Sequence, residues 1–563
     1  MAFQISPGVN VSEVDLTTVV PAVSTTAGAF VGDFAWGPAE TRVLVTSETD
    51  LVNKFGKPSA NAEQSNTATS FFTAANFLAY GNNLRVVRAL GADAKNATTG
   101  ANNVLIKSEE EYDFGQTFTS ANGAFAARYA GDLGNSLKIS VCPANTAVFN
   151  SWDYKSYFTV APSTTPFVSN RGGANDQVHI VVVDEDGLFT GAKNTVLEVY
   201  PFLSQASDAI TDDGSTSFYA TVLRNQSRYV YALSTDSAFG PNTGNNSTTT
   251  FNAGSANITS SFVNGVYSAA GSSGLQDGWD LFANPDEVDV SLAITGDAAG
   301  DTTVQQYVIQ NVAATRKDCI AFVSPPKSAV VNVVDPVVGI ESWAATITRS
   351  NYAFADSGWK YQFDKYNNIY RWVPLNGDMA GLCVYTDGVR DPWFSPAGYS
   401  RGVIKNVVRL AWNPNQTQRD TIYAQSINPV ISVPGQGTLL FGDKTLTTQP
   451  SAFSRINVRR LFIVLEKAIA NAAKYSLFEL NDEFTRAQFV AIVDPFLRDV
   501  KGRRGIYDYR VVCDTTNNTP QVIDNNQFVG DIYIKPARSI NYIQLNFIAV
   551  RTGVDFTEIV GGV

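Results

Sequence analysis

Apolar residues recur along the chain with two spacings, which predict alternating strands and helices near both ends. The apolar run at 23–38 predicts a strand, and Ser47 followed by Asp50 has the capping-box spacing that begins a short helix. The stripe at 67–80 predicts a helix, and 84–90 predicts a second buried strand. Strands alternating with helices are typical of an α/β layer.

From about residue 95 to 270 the pattern changes to short strands among Asn, Gly, Ser and Thr. The clearest strands lie at 137–141, 178–183 and 195–200. We interpret this stretch as one or two β-rich domains inserted into the α/β core, since insertions are tolerated where chain ends lie close together at a surface.

The α/β pattern returns after about residue 275. Strands are predicted at 288–295 and 319–326, with a helix at 303–315 between them. The longest amphipathic helix is predicted at 454–475. A last helix is predicted to be capped at Thr485, restart at Pro495 and end at Gly502, before strands at 507–512, 529–535 and 540–550.

The termini lack the length and turns of a domain. Val9 and Val11 alternate with polar residues and Val14 follows, which predicts an extended N-terminal arm. The last residues, RTGVDFTEIVGGV, predict an extended tail. Neither a signal peptide nor a run of about 20 apolar residues is expected from the sequence.

Composition narrows the function. The 563 residues carry 41 Lys+Arg against 52 Asp+Glu, a net charge of −11, so the chain is a poor candidate for holding DNA phosphates. At roughly 150 residues a domain, the length predicts three or four domains. Only 17% of residues are charged, below the roughly 25% of ordinary globular chains. Scarce charge and abundant small polar residues favour β-structure and surfaces shared with other protein.

Catalytic and metal chemistry is not indicated. The single histidine, His179, sits within a predicted strand and favours a structural role. The cysteines at 142, 319, 383 and 513 form no CxxC pair, so we expect reduced, mostly buried thiols. No catalytic, cofactor or metal residues are therefore assigned. An enzyme with a β-rich substrate domain would need a paired-carboxylate constellation, and a tail-fibre protein would need repeats.

Several segments, in a fixed order, resemble one protein family. They include SPGVNVSEVDLT (6–17), VGDFAWGP (31–38), KDCIAFVSPP (317–326), WVPLNGDMAGLCVYTD (372–387) and INPVISVPGQGTLLFGDKTL (427–446). The chain resembles the tail sheath proteins of contractile-tailed bacteriophages of the T-even type. The 95–270 region carries no share of this resemblance.

The resemblance implies a mixed, multidomain α+β fold with a discontinuous α/β core. The expected divisions are an N-terminal linking arm (1–20), a first core segment (21–95), inserted β-rich outer domains (96–272), a second core segment with the α/β pattern (273–345), a C-terminal sheath domain (346–549) and a C-terminal linking arm (550–563).

It also implies a function. Hexameric rings of subunits would stack around a tail tube and contract to drive the tube through the host envelope for genome delivery. The partners would be further copies, the tube protein, and baseplate and tail terminator proteins, without direct nucleic acid or membrane contact. The subunit would be assembled in the bacterial cytoplasm and reside in the virion tail. The sheath of a genome-free injection particle is the alternative.

Site residues follow from the same resemblance. The arms would add strands to a sheet in the C-terminal domain of neighbouring subunits, with Val9, Val11 and Val14 in one arm and Val554 and Phe556 in the other.

The basic residues of the 454–475 helix allow two interpretations. Arg455, Arg459 and Arg460 would face the tube, where electrostatic complementarity suits weak, reversible holding, or they would pair with carboxylates of the same domain.

Overall fold

The computed structural model describes residues 24–544 except 62–63, 116, 234–238, 240–241, 298–299 and 301. The chain divides into two compact units, the first ending at Glu479 and the second beginning at Leu480.

The first unit contains most of the secondary structure. Its strands are β1 (Gly28–Gly32), β2 (Val43–Val45), β3 (Leu84–Arg88), β4 (Phe125–Ala127), β5 (Leu137–Cys142), β6 (Gln177–Asp184), β7 (Thr195–Ser204), β8 (Val230–Ala232), β9 (Ile258–Ser261), β10 (Leu292–Ile294), β11 (Ile320–Val323), β12 (Ala353–Ala355), β13 (Trp359–Asp364), β14 (Ile369–Pro374), β15 (Arg409–Leu410), β16 (Val430–Val433) and β17 (Gly437–Leu440). Its helices are α1 (Glu48–Phe55), α2 (Ser65–Leu78), α3 (Thr146–Ser151), α4 (Pro166–Ser169), α5 (Tyr219–Gln226), α6 (Ser272–Asp280), α7 (Thr302–Tyr307), α8 (Ala314–Arg316), α9 (Lys327–Val330), α10 (Pro336–Thr346), α11 (Asn376–Val389), α12 (Gln416–Ala424) and α13 (Ile456–Ala473). The second unit contains α14 (Glu483–Gly502), β18 (Ile506–Val512), α15 (Pro520–Asp524) and β19 (Asp531–Pro536).

A six-stranded sheet with the order β12-β11-β10-β1-β3-β2 forms the centre of the first unit. Its strands are parallel except for the β2–β3 pair. Gly28 of β1 lies opposite Leu84 of β3 on one side and Leu292 of β10 on the other. The sheet therefore joins two stretches of the chain that flank the 95–270 region.

The two faces of this sheet bury different side chains. One face carries mostly small residues, among them Ala29, Val31, Ala293, Ala321 and Val323, and packs against Trp279 of α6 and Trp343 of α10. The other carries mostly large ones, among them Phe30, Ile294, Ile320, Phe322 and Phe354, and packs against α2, α11 and α13. Burial on both faces explains why these strands are nearly continuous apolar runs.

The region between β3 and β10 has its own sheets and core. Strands β7-β6-β5-β9 form one antiparallel sheet and β4-β8 another. The strands predicted at 137–141, 178–183 and 195–200 are confirmed within β5, β6 and β7. Trp36, just beyond β1, packs edge-on against Tyr129 and Phe189 of this core. A core residue from the N-terminal stretch thus anchors the region.

Three details of the predicted C-terminal elements differ from the structure. The restart at Pro495 is wrong, because α14 continues through it. The cap is Asp482, whose side chain accepts a 2.8 Å hydrogen bond from the Thr485 amide. Burial of Phe489, Val493, Leu497 and Val500 along the helix offsets the one N–H that proline removes. Of the strand predicted at 540–550, residues 540–544 form no strand, and the remainder lies outside the described residues.

We expect the close packing of α2 against α11 to require a glycine at position 377, because a larger residue would not fit there. A Cβ added at Gly377 of α11 would lie 2.5 Å from the Thr73 carbonyl oxygen of α2, whereas a Cβ at Gly388 of the same helix meets nothing within 4 Å. Gly377→Ala should lower the free energy of unfolding by about 1–3 kcal/mol through overpacking. Gly388→Ala should leave it unchanged or raise it by up to about 1 kcal/mol. Thermal unfolding monitored by circular dichroism measures both, and equal midpoints for the two variants would contradict this account.

A buried carboxyl group lies at the end of β1. Asp33 is 4% exposed, and its Oδ1 accepts a 2.8 Å hydrogen bond from the Ala270 amide. Burial raises the pKa of Asp33 to about 6, although the Ala270 amide and Arg88 act in the opposite direction. The folded state therefore binds a proton that the unfolded chain, with its ordinary carboxyl pKa, releases.

This difference predicts a pH-dependent effect of Asp33→Asn. In the native protein the stability linked to this proton is fully present below about pH 4 and is lost as the pH rises through about 6. The variant escapes that loss, so its free energy of unfolding should rise relative to the native protein between about pH 4 and 7, by up to about 3 kcal/mol. Thermal unfolding across this range measures the difference, with the exposed Asp212→Asn as control. A difference that stays constant with pH would argue against it.

Candidate assembly surfaces

The second unit presents an open pair of strands. Strands β18 and β19 are antiparallel, with Tyr509 opposite Ile534 and Val511 opposite Ile532. Each pairs with no further strand of the described chain, so each keeps one free edge. Free edges carry unpaired backbone N–H and C=O groups, which can template another strand.

The two faces of this pair differ in character. Directly opposed residues share a face, so Tyr509, Val511, Ile532 and Ile534 lie on one side. The Tyr509 hydroxyl donates to Oδ1 of Asp494 on α14 at 3.0 Å, so this side faces the helix. All four residues are only partly buried. The two strands and α14 therefore leave part of the apolar face between them exposed.

An isolated two-stranded pair is at best marginally stable, whereas three or more strands over a helix can be stable. The geometry suits the addition of one strand at each edge.

The residues predicted to supply such strands, Val9, Val11, Val14, Val554 and Phe556, lie outside the described residues. Their role stays a prediction.

The structure does show where the N-terminal segment joins the first unit. The Thr25 hydroxyl donates to Oδ2 of Asp387 on α11 at 2.6 Å, and the Arg460 guanidinium of α13 donates to the same oxygen at 2.6 Å. The Ser24 carbonyl accepts a hydrogen bond from the Ser291 hydroxyl at 3.0 Å. Residues 24–25 are thus fixed to the core on the side of α11 and α13.

Arg459 and Arg460 point into the subunit. They are 3% and 4% exposed. Arg460 pairs with Asp387 at 2.6 Å, and Arg459 lies 3.3 Å from Glu466 and stacks on Tyr352 and Phe453. These contacts agree with the interpretation in which the arginines pair with carboxylates of their own subunit. Guanidinium groups buried in this way are not available to a tube surface, so the tube-facing prediction is corrected for both.

Arg455 is also paired, although it is more accessible. Its guanidinium lies 2.8 Å from Asp443 and donates to the Tyr423 hydroxyl at 2.6 Å, while 24% of its side chain stays exposed. Its tube-facing role stays a prediction.

His179 has a structural role, as the sequence indicates. Its ring stacks on Phe158 with centroids 4.2 Å apart. Nδ1 accepts from the Phe202 amide at 3.0 Å, and Nε2 lies 2.9 Å from the Val160 carbonyl. Burial lowers the pKa of His179. A neutral ring with both nitrogens engaged is not placed to act as a base.

The expectation of buried thiols is confirmed. Cys142, Cys319, Cys383 and Cys513 are all free and buried. Burial raises the pKa of each thiol, to about 12 for the first three. Within the described residues, no group of three or more His, Cys, Asp or Glu side chains could hold a metal ion. Over the same residues, no helix is long and apolar enough to cross a membrane.

Three family models match the chain in order. They are the Gp18 domain III N-terminal region of the tail sheath protein at residues 25–89, the phage tail sheath central domain at 267–446 and the phage tail sheath C-terminal domain at 448–549. The stretch between the first two matches, residues 90–266, contains strands β4 to β9.

Curated relatives match over nearly the whole chain. The tail sheath protein of Vibrio phage KVP40 is 36% identical over 99% of this chain and 100% of the relative. That of Enterobacteria phage T4 is 35% identical over 99% of each. The chain therefore belongs to the phage tail sheath protein family.

Solved structures share the fold at low identity. The sheath tail protein of Listeria innocua matches with a TM-score of 0.54 at 11% identity, over 93% of this chain and 94% of that one. The contracted PVC sheath complex of an extracellular contractile injection system matches with a TM-score of 0.51 at 13% identity, over 99% and 100%.

The buried Arg460–Asp387 pair, which also holds Thr25, should be sensitive to the removal of one side chain. Asp387→Ala leaves the Arg460 charge buried without a countercharge and should lower the free energy of unfolding by about 3–5 kcal/mol. Asp186→Ala removes the carboxylate of an exposed pair with Lys193, 3.6 Å apart, and should cost less than about 1 kcal/mol. Chemical denaturation of both variants measures the contrast. Similar losses for the two would show that the buried pair has no special role.

Proposed function

We propose that this protein is the structural subunit of a contractile phage tail sheath. The observation that carries the proposal is the match to phage sheath proteins over 99% of this chain and 99–100% of the relatives. Rings of six subunits stack around the tail tube. Their contraction drives the tube through the host envelope for genome delivery.

Linkage between subunits is proposed to use the open strand pair. The N-terminal arm (1–20) of one neighbour and the C-terminal arm (550–563) of another add to the free edges of β18 and β19. Backbone hydrogen bonds supply strength and alternate side chains supply register. The partly exposed face of Tyr509, Val511, Ile532 and Ile534 supports this proposal, because added strands would continue its apolar layer.

Contraction is proposed to draw on subunit packing rather than on catalysis. Rigid subunits rotate and slide into a more densely contacted lattice. Because many identical subunits act together, each new contact need contribute only a few kcal/mol. The internal engagement of His179 and of the four cysteines supports a non-enzymatic role.

The proposed partners are further copies of the chain, the tail tube, and the baseplate and tail terminator proteins. Neither nucleic acid nor membrane is a direct partner, and the subunit is assembled in the host cytoplasm and resides in the virion tail. A sheath of a genome-free injection particle is the second candidate, and the fold shared with the PVC sheath is compatible with it. The phage origin of the relatives favours the virion.

Electron microscopy separates a sheath from other classes. Purified protein should form rings or tubes, whereas discrete particles under all assembly conditions would contradict the proposal.

Removal of residues 1–20 tests the arm. The truncated chain should be a folded, soluble monomer that forms no tubes, because the first described contacts of the core begin at Ser24 and Thr25. A labelled peptide of residues 1–20 should bind to it, as measured by fluorescence anisotropy. The same peptide with Val9→Asp and Val11→Asp should bind at least about tenfold more weakly, because two apolar anchors are lost. Tubes of normal length from the truncated chain would refute the arm.

A further inference from the structure

One face of the hairpin β13–β14 carries a row of four aromatic side chains. Tyr361 lies directly opposite Trp372, and Phe363 lies opposite Tyr370, so the four rings share this face. Neighbouring rings contact one another, with centroids 4.7–5.5 Å apart. Phe363 and Tyr370 are 44% and 52% exposed, and the other two are half-buried. We call these four residues the aromatic ladder.

The opposite face of β13 is polar and buried. Lys360, Gln362 and Asp364 are at most 3% exposed. Each has a polar partner at 2.7–2.9 Å, which is Asp378, Asn76 and Arg371 in turn. Antiparallel strands with one solvated face ordinarily turn apolar residues inward and polar residues outward. Over residues 360–364 this hairpin reverses that order, and an exposed apolar face of this kind indicates a contact site.

A guanidinium group adds positive charge to the aromatic ladder. Arg409 of β15 lies directly opposite Tyr361 in the sheet. Its guanidinium lies 4.9 Å from the ring centroid of Tyr361 and 5.2 Å from that of Trp372. Arg409 is exposed and takes part in no ion pair among the described residues, whereas Lys365 in the following turn pairs with Glu48 at 3.0 Å. A matching partner surface is therefore apolar and negatively charged.

The first unit also exposes a segment with these properties. The loop between α9 and α10 and the first turn of α10 expose Val333, Val334 and Val338, and Val334 is 104% exposed. Asp335 lies among them and is exposed as well. No Lys or Arg occurs between 332 and 342. We call the three valines the valine knob.

The valine knob is anchored to the core. Oδ1 of Asp335 accepts a 3.1 Å hydrogen bond from the Val337 amide and so caps α10, which leaves Oδ2 to accept from a guanidinium. Ile340 and Trp343 of the same helix are buried in the core. A knob that is fixed before binding loses little conformational entropy when it binds.

We propose that the aromatic ladder of one subunit binds the valine knob of a second copy. The valines cover the rings of Phe363 and Tyr370, and Asp335 meets Arg409. Opposite charge and apolar character on both sides identify the occupant. The contact rests on the proposed sheath function, which supplies the second copy. It involves only the first unit of each chain and is separate from strand addition at β18 and β19.

Photocrosslinking tests this contact in the full chain. Tyr370 is replaced by p-benzoylphenylalanine, which keeps an aromatic ring in the ladder, and labelled (¹⁵N) and unlabelled chains are mixed and assembled into tubes. Irradiation should give a mixed-isotope crosslink to residues 328–349, the tryptic peptide that contains the whole valine knob. Unassembled monomers should give no such product. The matched control carries the same probe at Tyr157, which is 54% exposed elsewhere in the first unit, and should not label this peptide.

Two charge substitutions test the proposed ion pair. Arg409→Glu should lower the crosslinked fraction at least about tenfold, because two carboxylates would then meet. In a chain that already carries Asp335→Asn, which keeps the helix cap, the same change should cost much less, because the opposing carboxylate is gone. Equal losses in the two backgrounds would overturn the pairing. The exposed Arg228→Glu serves as control and should leave the crosslinked fraction unchanged.

The outcomes separate this contact from the sheath function. Well-formed tubes in which the probe at position 370 labels no second copy, or labels a segment other than 328–349, would overturn the contact and leave the sheath function standing. Absence of any polymer from the unaltered chain would contradict the sheath function, and the contact would fall with it.

Discussion

The parallel pairing of β1 with β10 is the interaction on which the first unit depends. It brings Gly28 opposite Leu292 and so closes one sheet from two distant stretches of the chain. Both apolar layers, the small-residue face and the Phe-rich face, need strands from both stretches. The region between β3 and β10 can therefore form its own sheets without interrupting the core, and Trp36 fixes it in place.

The same core also contains a buried ion pair. Asp387 receives both the Arg460 guanidinium and the Thr25 hydroxyl, so one buried carboxylate connects α11, α13 and the start of the described chain. Breaking a buried pair is costly, because the remaining charge cannot be resolvated. Arg459 and Arg460 of α13 thus make contacts inside the subunit rather than with a tube surface.

In contrast to this closed core, the second unit leaves apolar surface uncovered among the residues that the structure describes. Within the described part of the chain, the β18–β19 pair has two free edges and a partly exposed face. They fit a subunit that is completed by its neighbours, and the low fraction of charged residues, 17%, fits the same conclusion.

The sequence by itself determined the local elements, the α/β character of both ends and the family. Apolar periodicity and the Ser47 cap depend on neighbours a few residues apart, and the Asp50 amide does donate to the Ser47 hydroxyl at 3.1 Å. Only the tertiary structure decided where the charges of α13 point. Arg460 has the same local pattern whether it meets a tube or Asp387, because its partner is distant in sequence. Pro495 is a similar case, since packing of α14 over its length outweighs the local signal of one proline.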